Sequence, residues 1–298
     1  MLWRCRDRVF DLGTRTLVMG IVNVTPDSFS DGGRYLDPAS AADQARRLAA
    51  AGADLIDLGA ESTRPGSRPV PAAEQIRRLD PVLKSLAPDQ AIVLSVDTAS
   101  AEVAGHALAA GARVINDVTA LGDEALARAA AVAGAGVVLM HMRGTPATMQ
   151  VDPRYGDAAR EVAAWLGERL ERARYCGIAA ECVALDPGIG FGKTARHNLE
   201  LLARLEEIVT LGRPVLVGAS RKSFLGATAA TPEVPLPVDQ RLEAGLAAAA
   251  VAVYLGARIV RTHDVAETVP AVRIADALRD ARRGHLLESR VSESAPLP

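Results

Sequence analysis

Short apolar runs recur along the chain, and a helical pattern follows each of them. The runs are rich in Val, Ile and Leu and mostly do not alternate with polar residues, which is typical of parallel strands buried on both faces. We therefore predict strands at residues 18–22, 55–58, 92–96, 114–115, 137–140, 183–185, 215–217 and 259–260.

The order of these elements predicts a fold. Strands that alternate with helical segments such as AADQARRLAAAGA and EVAGHALAAGA indicate parallel βαβ units. Eight such units in 298 residues, without a shift in composition, favour a single (β/α)8 barrel over a doubly wound sheet. We expect one domain over residues 1–280. Residues 281–298 lack apolar periodicity and are expected to form a flexible tail.

Composition excludes several classes of partner. The formal net charge of -2 provides no basic footprint for nucleic acid or for an anionic membrane surface. No apolar run approaches the ~20 residues that span a bilayer, and the N-terminus does not read as a signal peptide. Three cysteines without a CxxC pair fit a reducing compartment, so we expect a cytoplasmic protein.

Polar and charged residues follow every predicted strand. In a (β/α)8 barrel these strand ends form one face, and that face carries the active site. Strand ends are often polar, but eight successive sites rich in chemically active groups indicate function. In chain order they are Asn23; Glu61, Ser62, Thr63 and Arg64; Asp97 and Thr98; Asn116 and Asp117; His141; Asp186; Ser220, Arg221 and Lys222; and Arg261, Thr262, His263 and Asp264.

One group of these residues consists mostly of hydrogen-bond acceptors. Asp97, Asn116 and Asp186 follow predicted strands three, four and six, and they suit a flat heterocycle that presents amino and ring N–H donors. Lys222 would donate to a carbonyl of that ring or pair with Asp186. The alternative is a salt-bridge network that only locks strands together. Nearby glycines, including Gly218, favour space for a ligand.

A second group is basic and is expected on the opposite arc of the face. Cations with backbone and hydroxyl donors bind phosphates or carboxylates. The absence of a GxxxxGK[ST] motif argues against ATP, and the histidines lack metal-site spacing. Asn23, beside a possible diphosphate, suits Mg²⁺ held mainly by ligand oxygens and water. The basic group comprises Arg64, Arg221, Lys222, Arg261 and His263, with hydroxyls from Thr63, Ser220 and Ser223.

Eight segments along the chain carry a recognisable set of motifs: MGIVNVTPDSFSDGG (19–33), GADLIDLGAESTRPGS (52–67), LSVDT (94–98), VINDVTA (114–120), LMHMRGTPATMQ (139–150), LDPGIGFGKT (185–194), VLVGASRKSFLG (215–226) and IVRTHDVAET (259–268). Taken in order, these motifs resemble those of the dihydropteroate synthase family, which joins a pterin to p-aminobenzoate in folate biosynthesis. The family fold is a (β/α)8 barrel, and the resemblance covers residues 18–277.

The resemblance implies a role for each matching residue. The pterin pocket would comprise Asp97, Asn116, Met140, Asp186, Gly218 and Lys222. The diphosphate would bind Thr63, Arg261 and His263, with Mg²⁺ at Asn23. The p-aminobenzoate site would comprise Thr25, Phe29, Arg64, Pro65, Phe191 and Ser223.

The implied reaction is displacement of diphosphate from 6-hydroxymethyl-7,8-dihydropterin diphosphate by the amine of p-aminobenzoate. Asp97, Lys222, Arg261 and His263 would be the catalytic residues, and the path would be dissociative and cation-like. A homodimer is the family expectation. The long first loop, which carries Phe29, would close over the second substrate. The alternatives are a pterin-binding methyltransferase, a catalytically silent paralogue that acts as a binding protein, and a sugar-phosphate isomerase or aldolase barrel.

Overall fold

The structure is a computed structural model that describes residues 1–25, 37–64, 66–230 and 234–293. Within these residues eight parallel strands form one sheet, in which spatial neighbours follow one another in chain order. A parallel bridge between Leu185 and Val215 joins the two ends, so the sheet closes into the predicted barrel. The strands are β3 (Leu17–Asn23), β4 (Leu55–Gly59), β5 (Val93–Asp97), β6 (Val114–Asp117), β7 (Gly136–Met140), β8 (Val183–Asp186), β9 (Leu216–Val217) and β10 (Ile259–Thr262).

Helices connect the barrel strands, and all eight predicted strands are confirmed with shifts of one or two residues at their ends. Side chains cap several helix N-termini: Ser100, Asp123 and Asp157 each accept a bond from a backbone N–H of the first turn. The helices are α1 (Pro38–Ala50), α2 (Ala72–Leu86), α3 (Ala101–Ala109), α4 (Glu124–Ala133), α5 (Ala158–Tyr175), α6 (Ala195–Ala203), α7 (Glu206–Val209), α8 (Ser223–Ala229), α9 (Leu242–Tyr254) and α10 (Val265–Glu293).

Each strand divides its residues between two cores. Because side chains alternate along a strand, every second residue faces the barrel interior and the others face the helices. The lower interior is one apolar cluster, drawn from all eight strands and including Leu17, Leu55 and Val93. Val22, Ile56 and Val96 instead pack under the helices. Both faces are buried, which explains why the sequence shows no alternation.

The two N-terminal strands, which the sequence did not predict, close the lower end of the barrel. β1 (Leu2–Cys5) and β2 (Arg8–Asp11) pair as an antiparallel hairpin. Trp3 is fully buried against the interior cluster, and its indole N–H donates to the carbonyl of Cys182 at 3.0 Å. A side chain at Gly136 would place its Cβ 2.5 Å from Cys5 Sγ, so only glycine permits this close packing. Cys182 ends a 3₁₀ turn before β8 and is not a strand residue.

The C-terminal helix is longer than the sequence predicted. α10 continues to Glu293, so residues 282–293 are helical within the segment that we expected to form a flexible tail, and residues 294–298 lie outside the described residues. Extending a helix that is already formed needs mainly favourable helix propensity, and this segment, RRGHLLESRVSE, contains three Arg, two Leu and two Glu. Apolar periodicity was therefore the wrong criterion here.

Within the described part of the chain, we find no helix with both the length and the apolar character needed to cross a membrane.

The hairpin's contribution to stability is testable. Trp3→Ala should lower the free energy of unfolding by about 3–5 kcal/mol, because it opens a cavity beneath the barrel. Urea denaturation would measure the change. Leu2→Ala removes a neighbouring side chain that is 56% exposed, and it should change stability by less than about 0.5 kcal/mol. Similar effects of the two substitutions would contradict a sealing role for Trp3.

Candidate active site

The strand register brings the predicted acceptor residues to one level of the barrel. Asn23 is paired with Gly59, Gly59 with Asp97, and Asp97 with Asn116 across β3 to β6. On the other side, Met140 of β7 is paired with Asp186 of β8. These residues share the inward-facing parity of their strands, so they line the upper interior. The structure therefore brings Asp97, Asn116 and Asp186 together as predicted.

A carboxylate one layer lower supports this level. Asp57 of β4 is fully buried and accepts three hydrogen bonds. Ser95 Oγ donates at 2.6 Å, Asn116 Nδ2 at 3.0 Å and Arg261 Nε at 2.7 Å. A buried carboxylate requires such partners, and here they hold two residues of the predicted site in fixed orientations.

Arg261 does not lie on a separate basic arc as the sequence predicted. It faces inward from β10, and the barrel is narrow enough for its guanidinium to reach β4 and β5. Besides Asp57 it binds Asp97, with Nη2 3.1 Å from Oδ2. Burial raises the pKa of Asp97 to about 7, and the attraction of Arg261 opposes that rise. The division into acidic and basic arcs was therefore wrong for this residue.

Lys222 and Phe191 meet on the other side of the barrel mouth. The Lys222 ammonium lies 3.8 Å from the centroid of the Phe191 ring. Burial lowers the pKa of Lys222 to about 7, against the opposing attraction of Asp186. Burial likewise raises the pKa of Asp186, which accepts a bond from the Gly188 N–H at 2.7 Å. A cation over an aromatic face beside a carboxylate is suited to bind a polar, flat molecule.

His263 is held at the rim by hydrogen bonds. Ser220 Oγ lies 3.1 Å from His263 Nδ1 and 3.4 Å from Asp264 Oδ2, and Asp264 pairs with Arg221 at 2.6 Å. Burial, and then the charges of Arg221 and Arg261, lower the pKa of His263 to about 3. The imidazole is thus neutral near pH 7, and it acts as a hydrogen-bonding group where the sequence analysis counted it among the cations.

The sequence model of the family described as "Pterin binding enzyme" matches residues 19–263. The dihydropteroate synthase of Escherichia coli (strain K12) is 44% identical over 271 residues, which are 91% of this chain and 94% of that protein. The chain belongs to the dihydropteroate synthase family.

Solved structures of the family agree. A Yersinia pestis dihydropteroate synthase in complex with a sulfonamide drug has a TM-score of 0.87 at 44% identity. The match covers 94% of this chain and 100% of the Yersinia chain. A Xanthomonas albilineans dihydropteroate synthase in complex with 7,8-dihydropteroate has a TM-score of 0.82 at 41% identity, covering 94% and 99% of the two chains. The family resemblance and the barrel fold predicted from the sequence are confirmed.

The remaining predicted residues are distributed around the mouth. Met140 is buried below the mouth. Gly218 faces Arg261: a Cβ atom added at residue 218 would lie 3.7 Å from the Cβ of Arg261. Thr25 and Thr63 are half-buried, and Arg64 and Ser223 are exposed. Phe29 and Pro65 lie outside the described residues, so their predicted contacts with p-aminobenzoate stay predictions.

The donor set near Asn23 suits a magnesium ion that arrives with a ligand. Among the described residues there is no group of three His, Cys, Asp or Glu side chains that would hold a metal ion. Asn23 ends β3, and its Oδ1 points toward Gly59 and the Asp97 level. Mg²⁺ commonly keeps several waters and binds phosphates with one or two protein oxygens, so a single amide oxygen fits that mode.

Sequence reasoning missed two buried residues of the site. Asp57 interrupts an otherwise apolar strand, LIDLG, and this charge inside a predicted barrel strand was the available signal. Lys193 lies in the matching segment LDPGIGFGKT and was assigned no role, yet its side chain is buried against His141. Its signal was its rarity, because three of the 34 basic residues are lysines.

The cost of burying Lys222 predicts a pH-dependent change in stability. Its pKa falls from 10.5 to about 7 on folding. Below pH 7 the ammonium is charged in both states and the folded state bears the full cost. That cost fades between pH 7 and 10.5 as the folded state loses its proton. Lys222→Met should therefore stabilise the protein at pH 6 by roughly 2 kcal/mol or more, since one pKa unit is worth about 1.4 kcal/mol.

Urea denaturation at pH 6 and pH 10 would measure this difference. The gain should shrink toward pH 10, because the folded state of the unmodified protein has by then lost the proton from Lys222. Lys84→Met is the matched control: Lys84 is exposed and pairs with Asp80 on the surface. A gain that is equal at both pH values would contradict the assigned cost.

Proposed function

We propose that this chain catalyses the condensation of 6-hydroxymethyl-7,8-dihydropterin diphosphate with p-aminobenzoate, giving 7,8-dihydropteroate and diphosphate in folate biosynthesis. One observation supports this above the others. The barrel mouth of this family member presents three acceptor side chains, the buried Asn116 and Asp186 and the half-buried Asp97, with Lys222 near enough to Asp186 to interact with its charge. That set matches a flat ring with N–H groups and one carbonyl.

The pterin ring would bind through these groups. Asn116 donates its Nδ2 to Asp57, which leaves its Oδ1 directed to accept a bond from the ring. Asp186 accepts from the amino group and an adjacent ring N–H, and Lys222 donates to the ring carbonyl. Met140 and Gly218 line the pocket walls. Asp97 is then close to the methylene carbon and its neighbouring ring nitrogen.

The diphosphate would bind at the rim. Binding of the pterin to Asp97 displaces the Arg261 guanidinium from that carboxylate, while the bond to Asp57 holds its Nε in place. Arg261 can then direct its Nη groups toward the phosphate. Thr63 and the neutral His263 add hydrogen bonds. Asn23 would hold Mg²⁺ together with phosphate oxygens and water, and the bound ion would supply positive charge next to the leaving group.

Charge separation favours a dissociative path. The methylene C–O bond breaks first, and its electron pair leaves with the diphosphate. The remaining pterin fragment is a cation, which the ionised carboxylate of Asp97 stabilises from within the barrel. The amine nitrogen of p-aminobenzoate then donates its lone pair to the methylene carbon and loses one proton, which gives the neutral secondary amine of the product.

The second substrate would bind above the pterin. Phe191 offers an aromatic face next to Lys222, and Ser223 and Arg64 supply donors for the p-aminobenzoate carboxylate. Thr25, Phe29 and Pro65 complete this proposed site from the first two loops. Arg64 is near enough to lower the pKa of His263, so the two proposed anion sites are neighbours.

The proposal is tested by product formation. Purified protein with Mg²⁺ and both substrates should form dihydropteroate and release one diphosphate per product. Chelation of Mg²⁺ should slow the reaction and added Mg²⁺ should restore it. Asp97→Asn should lower kcat by about 100-fold or more with a smaller change in pterin affinity, because the charge matters most in the cationic transition state.

Asp276→Asn is the matched control. Asp276 is a buried carboxylate bonded to Thr16 and Arg279, away from the mouth, so this substitution should cost stability and leave kcat unchanged. Pterin binding without any turnover by the unmodified protein would instead support a catalytically silent binding protein, and would refute the proposed reaction.

We further propose a homodimer in a reducing compartment such as the cytoplasm. Cys5, Cys176 and Cys182 are free. A strip of exposed apolar side chains runs along two outer helices: Val251 and Tyr254 of α9, and Ile274 and Leu278 of α10. The Arg282 guanidinium carbon lies 5.3 Å from the centroid of the Tyr254 ring. On α10, Ile274 lies two turns before Arg282 and Leu278 lies one turn before it. The strip is therefore continuous and suited to a partner copy.

Light scattering would test the dimer. The unmodified protein should have a mass in solution of twice the 31.2 kDa of one chain. The double variant Ile274→Glu, Leu278→Glu should shift the population to monomer. Val132→Glu provides the control because Val132 is 91% exposed on α4, away from the strip. A monomeric unmodified chain, or a double variant that remains dimeric, would contradict this interface.

A further inference from the structure

Lys193 is a buried cation without a carboxylate bound to it in the described part of the chain. Its side chain is 3% exposed. Nζ lies 2.9 Å from His141 Nδ1, 2.9 Å from the carbonyl oxygens of Gly188 and Phe191, and 3.3 Å from the carbonyl oxygen of His141. Four neutral acceptors therefore replace the hydration shell of this ammonium.

The residue type at this position is informative. Of 34 basic residues in the chain, 31 are arginines, and two of the three lysines, Lys193 and Lys222, lie at the barrel mouth. A guanidinium is planar and fork-shaped, whereas an ammonium is a compact centre with three donors. The cage of converging acceptors around Nζ suits only the compact group, so arginine is a poor substitute.

The cage connects a loop to the barrel wall. His141 follows β7, and its backbone N–H donates to the carbonyl of Asp186 in β8 at 3.0 Å. Its ring packs edge-on against Trp165, with centroids 4.9 Å apart. Burial, and then the charge of Lys193, lower the pKa of His141 to about 2, so the ring is neutral, and its Nδ1 accepts a bond from the Lys193 ammonium. Lys193 is thus bound to a rigid anchor on one side.

On its other side Lys193 holds the loop at residues 187–192. The carbonyls of Gly188 and Phe191 both converge on its ammonium, so the loop winds around that one charge. Gly190, which directly precedes Phe191, has a φ of 83°, and a side chain at this position would place its Cβ 2.8 Å from Lys222 Cδ. The backbone position of this loop therefore decides where both Phe191 and Lys222 lie.

We propose that Lys193 is a positioning residue for the second-substrate site. By holding the Phe191 carbonyl, it fixes the ring that lies 3.8 Å from the Lys222 ammonium and that would pack beside the arylamine. Lys193 reaches neither substrate itself. This inference rests on the proposed function, because only that function places p-aminobenzoate against the Phe191 ring.

Steady-state kinetics with each substrate varied in turn would test the role. Lys193→Met keeps the length of the side chain but removes every donor, and it should raise the KM for p-aminobenzoate by about 10- to 100-fold, since small displacements at a site have effects of that size. The Kd of the pterin substrate, measured without p-aminobenzoate, should change by less than about 3-fold. Lys193→Arg should fail to restore the KM. Lys84→Met, the exposed control, should match the unmodified protein.

A double-mutant cycle separates positioning from general destabilisation. Phe191→Ala alone should raise the KM for p-aminobenzoate, and Lys193→Met should add little in the Phe191→Ala background, because the two act through one ring. If Lys193→Met does not fold, Phe191→Ala still tests the pathway, and an unchanged KM there overturns the proposal. A lower melting temperature with an unchanged KM for p-aminobenzoate overturns it as well.

The two levels of inference fail differently. Absence of product with the unmodified protein would remove the proposed function before any variant is compared. Normal turnover by the unmodified protein, with independent effects of Lys193→Met and Phe191→Ala, would refute only the positioning role.

Discussion

The buried carboxylate of Asp57 is the constraint on which the arrangement of the site depends. It is fully enclosed, so its charge must be balanced by bonds from Ser95, Asn116 and Arg261. Each of those bonds fixes a group on a different strand, β5, β6 and β10. A charge that is costly to bury without partners thus forces three strands to present their side chains in one orientation. The lower barrel is apolar and sealed by Trp3, which denies the carboxylate any solvent from that side.

At the barrel mouth above Asp57, ionisable side chains are buried at a cost in free energy of folding. Burial raises the pKa of Asp97 and Asp186 and lowers the pKa of Lys222 and Lys193. Groups held in this state gain from a ligand that supplies matching donors and acceptors, because the ligand replaces the lost water. Arg261 pairs with Asp97 in this structure, and the proposed function has such a ligand take its place. In the proposed reaction, the same low dielectric that costs stability would make Asp97 effective toward a cationic fragment, so stability and catalysis would be linked at the same residues.

Much of this arrangement followed from local sequence signals. Eight apolar runs separated by helical patterns favoured the barrel, since a parallel, helix-covered sheet buries such runs on both faces and eight such units make one barrel. The polar residues after each run then had to share one face, which placed Asp97, Asn116 and Asp186 together. Other features carried no local signal. The N-terminal hairpin was missed because its burial depends on a barrel floor formed by distant strands, and α10 extended past Arg282 on helix propensity without an apolar stripe.

By itself the sequence determined the family, the fold and the face that carries the site, because strand periodicity and the order of motifs are local properties of the chain. Only the tertiary structure decided which partners the charges take. Arg261 and Asp57 are 204 positions apart, and Lys193 binds His141 across 52 positions. Such pairings depend on the barrel's closure and narrow interior, which bring side chains from opposite strands within hydrogen-bonding distance. The same closure turned a presumed basic rim residue, Arg261, into the partner of two buried carboxylates.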